Sequence, residues 1–107
     1  MFKSQVQILQ SALSAQQKPT ITDGDFVIFR VEDLPCRPST AIKAIGYKSS
    51  EQELYIQWKN NNETSRYFRV TFEIWSQLRN CTSSMGKLYH QIIKGKFGST
   101  SWDNLID

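Results

Sequence analysis

The sequence predicts one small α+β domain. It consists of an antiparallel β-meander of three to four strands packed by two C-terminal helices, with an amphipathic helix at the N-terminus. Three observations lead to this fold class. Residues 41–70 hold three strand-like segments separated by short polar turns. Residues 71–95 then place apolar side chains at helical spacing. The 107 residues suffice for one hydrophobic core, so we expect all these elements in one compact domain.

The first 38 residues form an extension that carries a helix and a strand. An amphipathic helix over about residues 2–16 is predicted by apolar side chains at helical spacing, namely Phe2, Val6, Leu9 and Leu13. Residues 22–25, Thr-Asp-Gly-Asp, are a turn signal. The apolar run Phe26–Val31 after them predicts a strand buried on both faces, except around Arg30. Residues 39–107 complete the same compact domain.

The meander follows the extension. Its three strands are predicted at residues 41–47, 53–59 and 65–70. Ile42 and Tyr47 lie on opposite phases of the first strand, so we expect Gly46 to mark a β-bulge. The second strand alternates cleanly between apolar and polar side chains. This pattern is typical of an antiparallel sheet with one packed face and one free face.

Two helices and a tail complete the prediction. Thr71 and Ser84 are the expected N-caps, and Gly95 suits the left-handed position after the second helix. The first helix is expected to bury Phe72, Trp75 and Leu78, and the second Leu88, Ile92 and either Tyr89 or Ile93. In the tail, Trp102, Leu105 and Ile106 are expected to fold back onto the domain.

Composition excludes several classes of protein. The hydrophobic fraction of 39% and charged fraction of 21% are those of a globular chain, neither disordered nor membrane-embedded. The first residues lack the continuous apolar stretch of a secretion signal, so we expect a cytoplasmic protein with reduced thiols at Cys36 and Cys81. The single histidine, His90, has no acidic neighbour in sequence and no metal-ligand spacing. The sequence therefore predicts no enzyme, no metal and no cofactor.

The basic character of the chain belongs to its second part. Residues 1–36 carry three Lys and Arg against four Asp and Glu, whereas residues 37–107 carry ten against six. This distribution is compatible with a polyanionic partner, although it is far from the dense basic stripe of a dedicated DNA-binding protein.

Three sequence blocks have the order and spacing of a known family. Residues 39–47 read Ser-Thr-Ala-Ile-Lys-Ala-Ile-Gly-Tyr, residues 65–70 read Ser-Arg-Tyr-Phe-Arg-Val, and residues 84–97 run from Ser-Met-Gly-Lys-Leu-Tyr to Ile-Lys-Gly-Lys-Phe. Together they resemble the KTSC domain, named for its occurrence at the C-terminus of some lysyl-tRNA synthetases. Ser65 and Phe97 stand where the family has tyrosine, and Leu88 where it has an aromatic residue. The resemblance implies a compact meander-plus-helix fold, occurrence as a stand-alone bacterial or phage protein, and a role in RNA binding.

Cations interleaved with aromatic residues indicate a nucleic-acid-binding surface, because phosphates bind the charges and bases stack on the rings. The predicted phosphate contacts are Lys59, Arg66, Arg69, Lys87, Lys94 and Lys96, and the predicted stacking residues are Tyr55 and Tyr67. A second candidate is an anion site at a helix start, made by Ser84, Gly86 and Lys87. The structural alternatives are solvated charges with half-packed tyrosines for the first set, and plain helix capping for the second.

Two functions from different classes follow. The first is a non-enzymatic module that binds RNA or another single-stranded nucleic acid. The alternative is a stand-alone, phage-encoded protein that binds a protein or sequesters a small nucleotide and so acts on a host system. In either case the N-terminal helix could mediate a homodimer.

Overall fold

The computed structural model describes residues 18–37 and 39–107. The helix predicted over residues 2–16, and any dimer through it, lie outside the described residues. The strands are β1 (Ile21–Asp23), β2 (Phe26–Arg30), β3 (Ile42–Lys48), β4 (Glu53–Trp58), β5 (Thr64–Tyr67) and β6 (Ser99–Trp102). A short 3₁₀ helix, Val31–Asp33, follows β2, and the two α-helices are α1 (Phe72–Arg79) and α2 (Met85–Ile92).

The α+β class is confirmed, but the sheet is larger than predicted. Six strands lie side by side in chain order, each antiparallel to the next. The prediction of three to four strands misses both edges of the sheet. All residues of β1 and β6 are exposed, so neither edge strand carries the apolar alternation by which a strand is recognised. These two edge strands form because they pair with β2 and β5, and not because their own sequences carry a strand pattern.

The predicted β-bulge exists, but it lies elsewhere in β3. The register between β3 and β4 shifts between Ile42 and Ala44, and this shift brings Ile42 and Tyr47 into one core although their sequence phases differ. Gly46 is not at the bulge, but a neighbouring ring leaves no room for a side chain at this position. A Cβ at that position would lie 3.0 Å from Cε1 of Phe26, whose ring covers the glycine.

The helices begin and end as the sequence predicts. The Thr71 side chain accepts a hydrogen bond from the Ile74 N–H, the Ser84 side chain accepts one from the Lys87 N–H, and Gly95 has a φ of 75°. Trp75 is buried, and its ring stacks on Tyr47 at 5.2 Å between centroids. The set of residues predicted to be buried in α1 is wrong at one position. Phe72 is 56% exposed, because α1 turns Trp75 and Leu78 inward and leaves its first residue at the rim.

The second face of the sheet is not free, contrary to the prediction. It carries its own apolar cluster of Ile28, Ala44 and Tyr55, on which Leu105 and Ile106 of the tail pack. The buried Gln57 side chain holds the tail through two hydrogen bonds. Its Nε2 donates to the Ile106 carbonyl at 2.9 Å, and its Oε1 accepts from the Ile106 N–H at 3.0 Å. Folding back is confirmed for Leu105 and Ile106, whereas Trp102 belongs to β6.

Both cysteines are buried with free thiols, in agreement with the sequence prediction. Burial, together with the nearby Cys81, raises the pKa of the Cys36 thiol. Within residues 18–37 and 39–107, no helix is long and apolar enough to cross a membrane.

Candidate nucleic-acid interface

The two tyrosines predicted to stack on bases are enclosed by protein. Tyr55 lies on the second face between the rings of Phe26 and Trp102, at centroid distances of 4.8 Å and 5.6 Å. Its hydroxyl donates to Oε1 of Glu53 at 2.7 Å, and burial followed by this contact raises the pKa of Tyr55. Tyr67 points to the helix layer, where its hydroxyl and that of Tyr89 share a hydrogen bond of 2.7 Å. Neither ring is open to a stacking base.

The six predicted phosphate contacts do not form one face. Lys59 lies in the turn after β4, Arg66 lies within β5, and Arg69 follows that strand. Lys87 lies in α2, and Lys94 and Lys96 lie in the turn after it. That turn leads to Gly98, whose carbonyl accepts a hydrogen bond from the Phe68 N–H at 3.0 Å. The structure therefore links the end of β5 to the segment that carries Lys94 and Lys96.

The start of α2 is occupied by its own cap. The Ser84 hydroxyl accepts a hydrogen bond from the Lys87 N–H at 3.2 Å, and the backbone of Ser84 pairs with that of Arg37. A Cβ on Gly86 would meet nothing closer than the Ser84 Oγ at 3.9 Å. This geometry is that of helix capping, so the contacts at this helix start support the structural alternative for Ser84, Gly86 and Lys87.

Cations and aromatic rings come together at the β5–β6 edge of the sheet. We call Arg66, Phe68, Arg69 and Trp102 the strand-edge surface. The guanidinium carbon of Arg66 lies 4.4 Å from the Trp102 ring centroid and 4.8 Å from the Phe68 centroid. Arg66 pairs with Thr100, and Trp102 lies two residues further along β6 on the same face, a diagonal arrangement that brings long side chains into contact. Trp102 is 41% exposed.

Glu53 is the acidic residue next to the strand-edge surface, and it compensates the positive charge of Arg66 only in part. The Arg66 Nε lies 4.0 Å from Oε2 of Glu53, which is too long for a hydrogen bond. Since Glu53 already accepts a hydrogen bond from Tyr55, it fixes Tyr55 and attracts Arg66 at the same time. The guanidinium is thus oriented by two rings and one carboxylate.

A groove borders the same surface. It measures about 540 Å³ and is lined by Glu51, Phe68, Arg69 and Gly98. Arg69 is exposed and has a left-handed backbone, with a φ of 58°. The next residue, Val70, donates its N–H to the Gln52 carbonyl at 2.8 Å, which anchors this unusual loop. The groove thus offers an aromatic wall and a cation next to each other.

Sequence reasoning missed two members of the strand-edge surface. Phe68 lies beside Tyr67 between Arg66 and Arg69, and these two aromatic residues flanked by arginines are a usable signal. Trp102 follows Ser99-Thr100-Ser101, a polar run whose sequence does not indicate a strand. The single histidine, His90, is exposed on α2, and its ring centroid lies 5.6 Å from that of Tyr89 in an edge-to-face arrangement.

Comparisons with known proteins agree on one family. Residues 38–97 match the family model of the KTSC domain, which is more than half of the chain, and the resemblance predicted for residues 39–97 is thereby confirmed. A crystal structure of a KTSC domain protein from Yersinia pestis is similar, with 27% sequence identity and a TM-score of 0.57 over 63% of this chain and 92% of that chain. No curated protein matches the sequence. The matched residues include Arg66, Phe68 and Arg69 but not Trp102.

Proposed function

This chain belongs to the KTSC domain family, and we propose that it is a non-enzymatic module that binds RNA or another single-stranded nucleic acid at the strand-edge surface. One observation carries the proposal: the Arg66 guanidinium lies 4.4 Å from the centroid of the Trp102 ring, which is 41% exposed. The Trp102 ring contacts the Arg66 guanidinium and the Tyr55 ring, and its exposed part remains available as a stacking platform for a base. The adjacent cation attracts the phosphate of the same nucleotide.

The neighbouring residues extend this platform. Phe68 and Arg69 line the groove beside it, so a second base or a phosphate has a place next to the first. Lys94 and Lys96 are exposed in the turn that reaches the same edge through Gly98. The proposal therefore keeps four of the cations expected from the sequence, namely Arg66, Arg69, Lys94 and Lys96. It replaces the buried tyrosines by Trp102 and Phe68 as the stacking residues.

The test is the binding of fluorescein-labelled single-stranded oligo-uridine, followed by fluorescence anisotropy at about 50 and 200 mM salt. We expect saturable binding that weakens as salt rises. Replacing Trp102 by Ala removes one stacking interaction of about 1–3 kcal/mol, so affinity should fall about 5- to 150-fold. Phe72→Ala is the matched control, because it truncates a ring that is also exposed (56%) but lies in the helix layer.

A second variant separates charge from stacking. Arg69→Gln should lower the slope of log affinity against log salt by about 0.7, the share of one phosphate contact to a single strand. Lys18→Gln, an exposed cation before β1, should leave that slope unchanged. Equal affinity of wild type and Trp102→Ala, or no binding at the lower salt concentration, would refute the proposal. It would then favour the alternative of a protein or small-nucleotide partner.

A further inference from the structure

A charged cavity lies at the other end of the meander. It measures about 660 Å³, and its charged wall consists of Arg30, Lys43, Lys59 and Glu32. We call this cavity the basic cleft. The basic cleft shares no residue with the strand-edge surface or with the groove beside it. Ligand binding in this cleft therefore does not depend on the proposed function.

Several backbone contacts hold the cations of the basic cleft in place. Arg30 ends β2, and its N–H donates to Oγ1 of Thr20 at 2.8 Å. The Lys59 N–H donates to the Ala41 carbonyl at 2.8 Å, which ties the turn after β4 to the start of β3. Lys43 sits at the register shift of β3, where the bulge removes it from the regular alternation of the strand. The three cations therefore come from three separate segments that the sheet brings together.

The positive charge of the cleft is only partly compensated. Glu32 Oε1 lies 3.9 Å from a terminal nitrogen of Arg30, and the Glu32 side chain is 74% exposed. An exposed contact of that length is weak because solvent screens it. Lys43 donates from its Nζ to the neutral Oδ1 of Asn62 at 3.1 Å, so this contact orients the ammonium without cancelling its charge. A net excess of positive charge remains on the wall.

The rest of the wall combines two polar residues, Ser39 and Asn62, with three apolar ones. Val31, Ile42 and Ile106 line the cavity beside the cations, and the Gln57 side chain fixes Ile106 there through two hydrogen bonds. Pockets for small organic ligands have a volume of roughly 300–1,000 Å³. A bare phosphate ion would fill only a fraction of 660 Å³. The shape therefore fits an anion attached to an organic group.

We propose that the basic cleft binds a small organic phosphate of about the size of a nucleotide. Lys43, Lys59 and Arg30 bind the phosphate oxygens through charge-assisted hydrogen bonds. The aliphatic stems of Lys43 and Lys59, together with the partly accessible Ile106, pack against the organic part. Phosphate is favoured over a single carboxylate because three cations line one cleft and match an anion with several charged oxygens.

The experiment is a titration of the ¹⁵N-labelled full chain, followed by two-dimensional NMR. The probes are inorganic pyrophosphate, adenosine 5′-diphosphate and adenosine. We expect saturable shifts of the amide signals of Arg30, Lys43, Lys59 and Asn62 with both phosphate compounds. Adenosine 5′-diphosphate should bind more tightly than pyrophosphate, because its organic part also contacts the lysine stems and Ile106, and adenosine should bind far more weakly than either.

Variants assign the site. Lys43→Gln with Lys59→Gln should weaken binding of adenosine 5′-diphosphate about tenfold or more, since two charge-assisted contacts are lost. Lys48→Gln removes a cation from the opposite end of β3 and should leave the affinity unchanged. If the double variant loses its dispersed spectrum, Lys59→Gln alone serves, because Lys59 is exposed and its structural contact is through the backbone.

Three results would overturn the proposal. The first is that neither phosphate compound shifts the cleft amides at millimolar concentration. The second is that shifts occur equally at lysines all over the surface. The third is that the lysine variants bind the diphosphate nucleoside as wild type does. Loss of oligo-uridine binding in Trp102→Ala with intact diphosphate binding would show that the two sites are separate.

Discussion

Replacing Gln57 by Leu tests how the C-terminal tail is held. Gln57 is fully buried at 0% exposure, and its amide makes both hydrogen bonds to the backbone of Ile106, which is itself only 6% exposed. Leucine has a similar volume but can neither donate nor accept a hydrogen bond. The substitution therefore leaves the Ile106 N–H and carbonyl without partners in an apolar environment.

The magnitude follows from the contacts. Two orphaned backbone groups would cost about 1–3 kcal/mol each if the tail stayed in place. The tail can instead detach, which limits the loss to its docking free energy. Burial of Leu105 and Ile106 contributes about 3–6 kcal/mol and the two hydrogen bonds about 2, while ordering residues 105–107 costs about 3–5. These ranges give a docking free energy of about 0–5 kcal/mol, and their midpoint predicts that Gln57→Leu lowers the free energy of unfolding by about 2.5 kcal/mol.

Urea unfolding at 25 °C, followed by tryptophan fluorescence, measures this value. A second chain without residues 105–107 completes a double-mutant cycle. In that shortened chain the position of Gln57 faces solvent, so Gln57→Leu should change the free energy of unfolding by less than about 0.5 kcal/mol.

Equal costs of Gln57→Leu in the full and the shortened chain would refute the reasoning. The loss would then come from packing within β4 rather than from the tail. A cost below about 0.5 kcal/mol in the full chain would also refute it, because the tail would then contribute nothing to stability.

Two further predictions concern the sheet. Burial raises the pKa of Tyr47, Tyr55 and Tyr67 above the ordinary 10.0, so their stabilising effect is complete below pH 10 and is lost as the pH rises toward the folded-state values. The free energy of unfolding should fall above pH 10 by about 1.4 kcal/mol per pH unit for each of these tyrosines. Tyr67→Phe should reduce this slope by the contribution of one tyrosine. Urea unfolding at a series of pH values measures the slope, and an unchanged slope in the variant would contradict a raised pKa of Tyr67. Gly46→Ala should cost about 1–3 kcal/mol, because its Cβ would lie 3.0 Å from Phe26, and Phe26→Leu in the same chain should recover part of it. Thermal unfolding checks this pair, and wild-type stability of Gly46→Ala alone would contradict the contact.

The local parts of the fold could be predicted because their signals are local. The caps of α1 and α2 depend on a side chain bonding to a backbone N–H three residues ahead, as Thr71 and Ser84 do. The strands β3 and β4 depend on alternation over a few residues. The need for a bulge was also readable, since Ile42 and Tyr47 could not otherwise share a core. Its position was not, because the register is set by the pairing with β4.

The candidate site was only half predictable. Arg66 and Arg69 stand out in the sequence, and the alternation of β4 correctly separates Tyr55 from Leu54 and Ile56. Alternation says which side of the sheet a residue faces but not whether that side is covered. Tyr55 is buried because Phe26, Trp102 and the tail lie over it.

The sequence by itself determined the α+β class, the central strands, both helices with their caps, the buried thiols and the KTSC family. These features rest on periods of two and 3.6 residues, on single capping side chains, and on motif spacing, all of which are short-range properties. Tertiary structure alone decided the two edge strands, the covering of the second face by Leu105 and Ile106, and the meeting of Arg66 with Trp102. Those contacts join residues that are distant in the chain, and a sheet edge or a tail takes its conformation from the partner it pairs with.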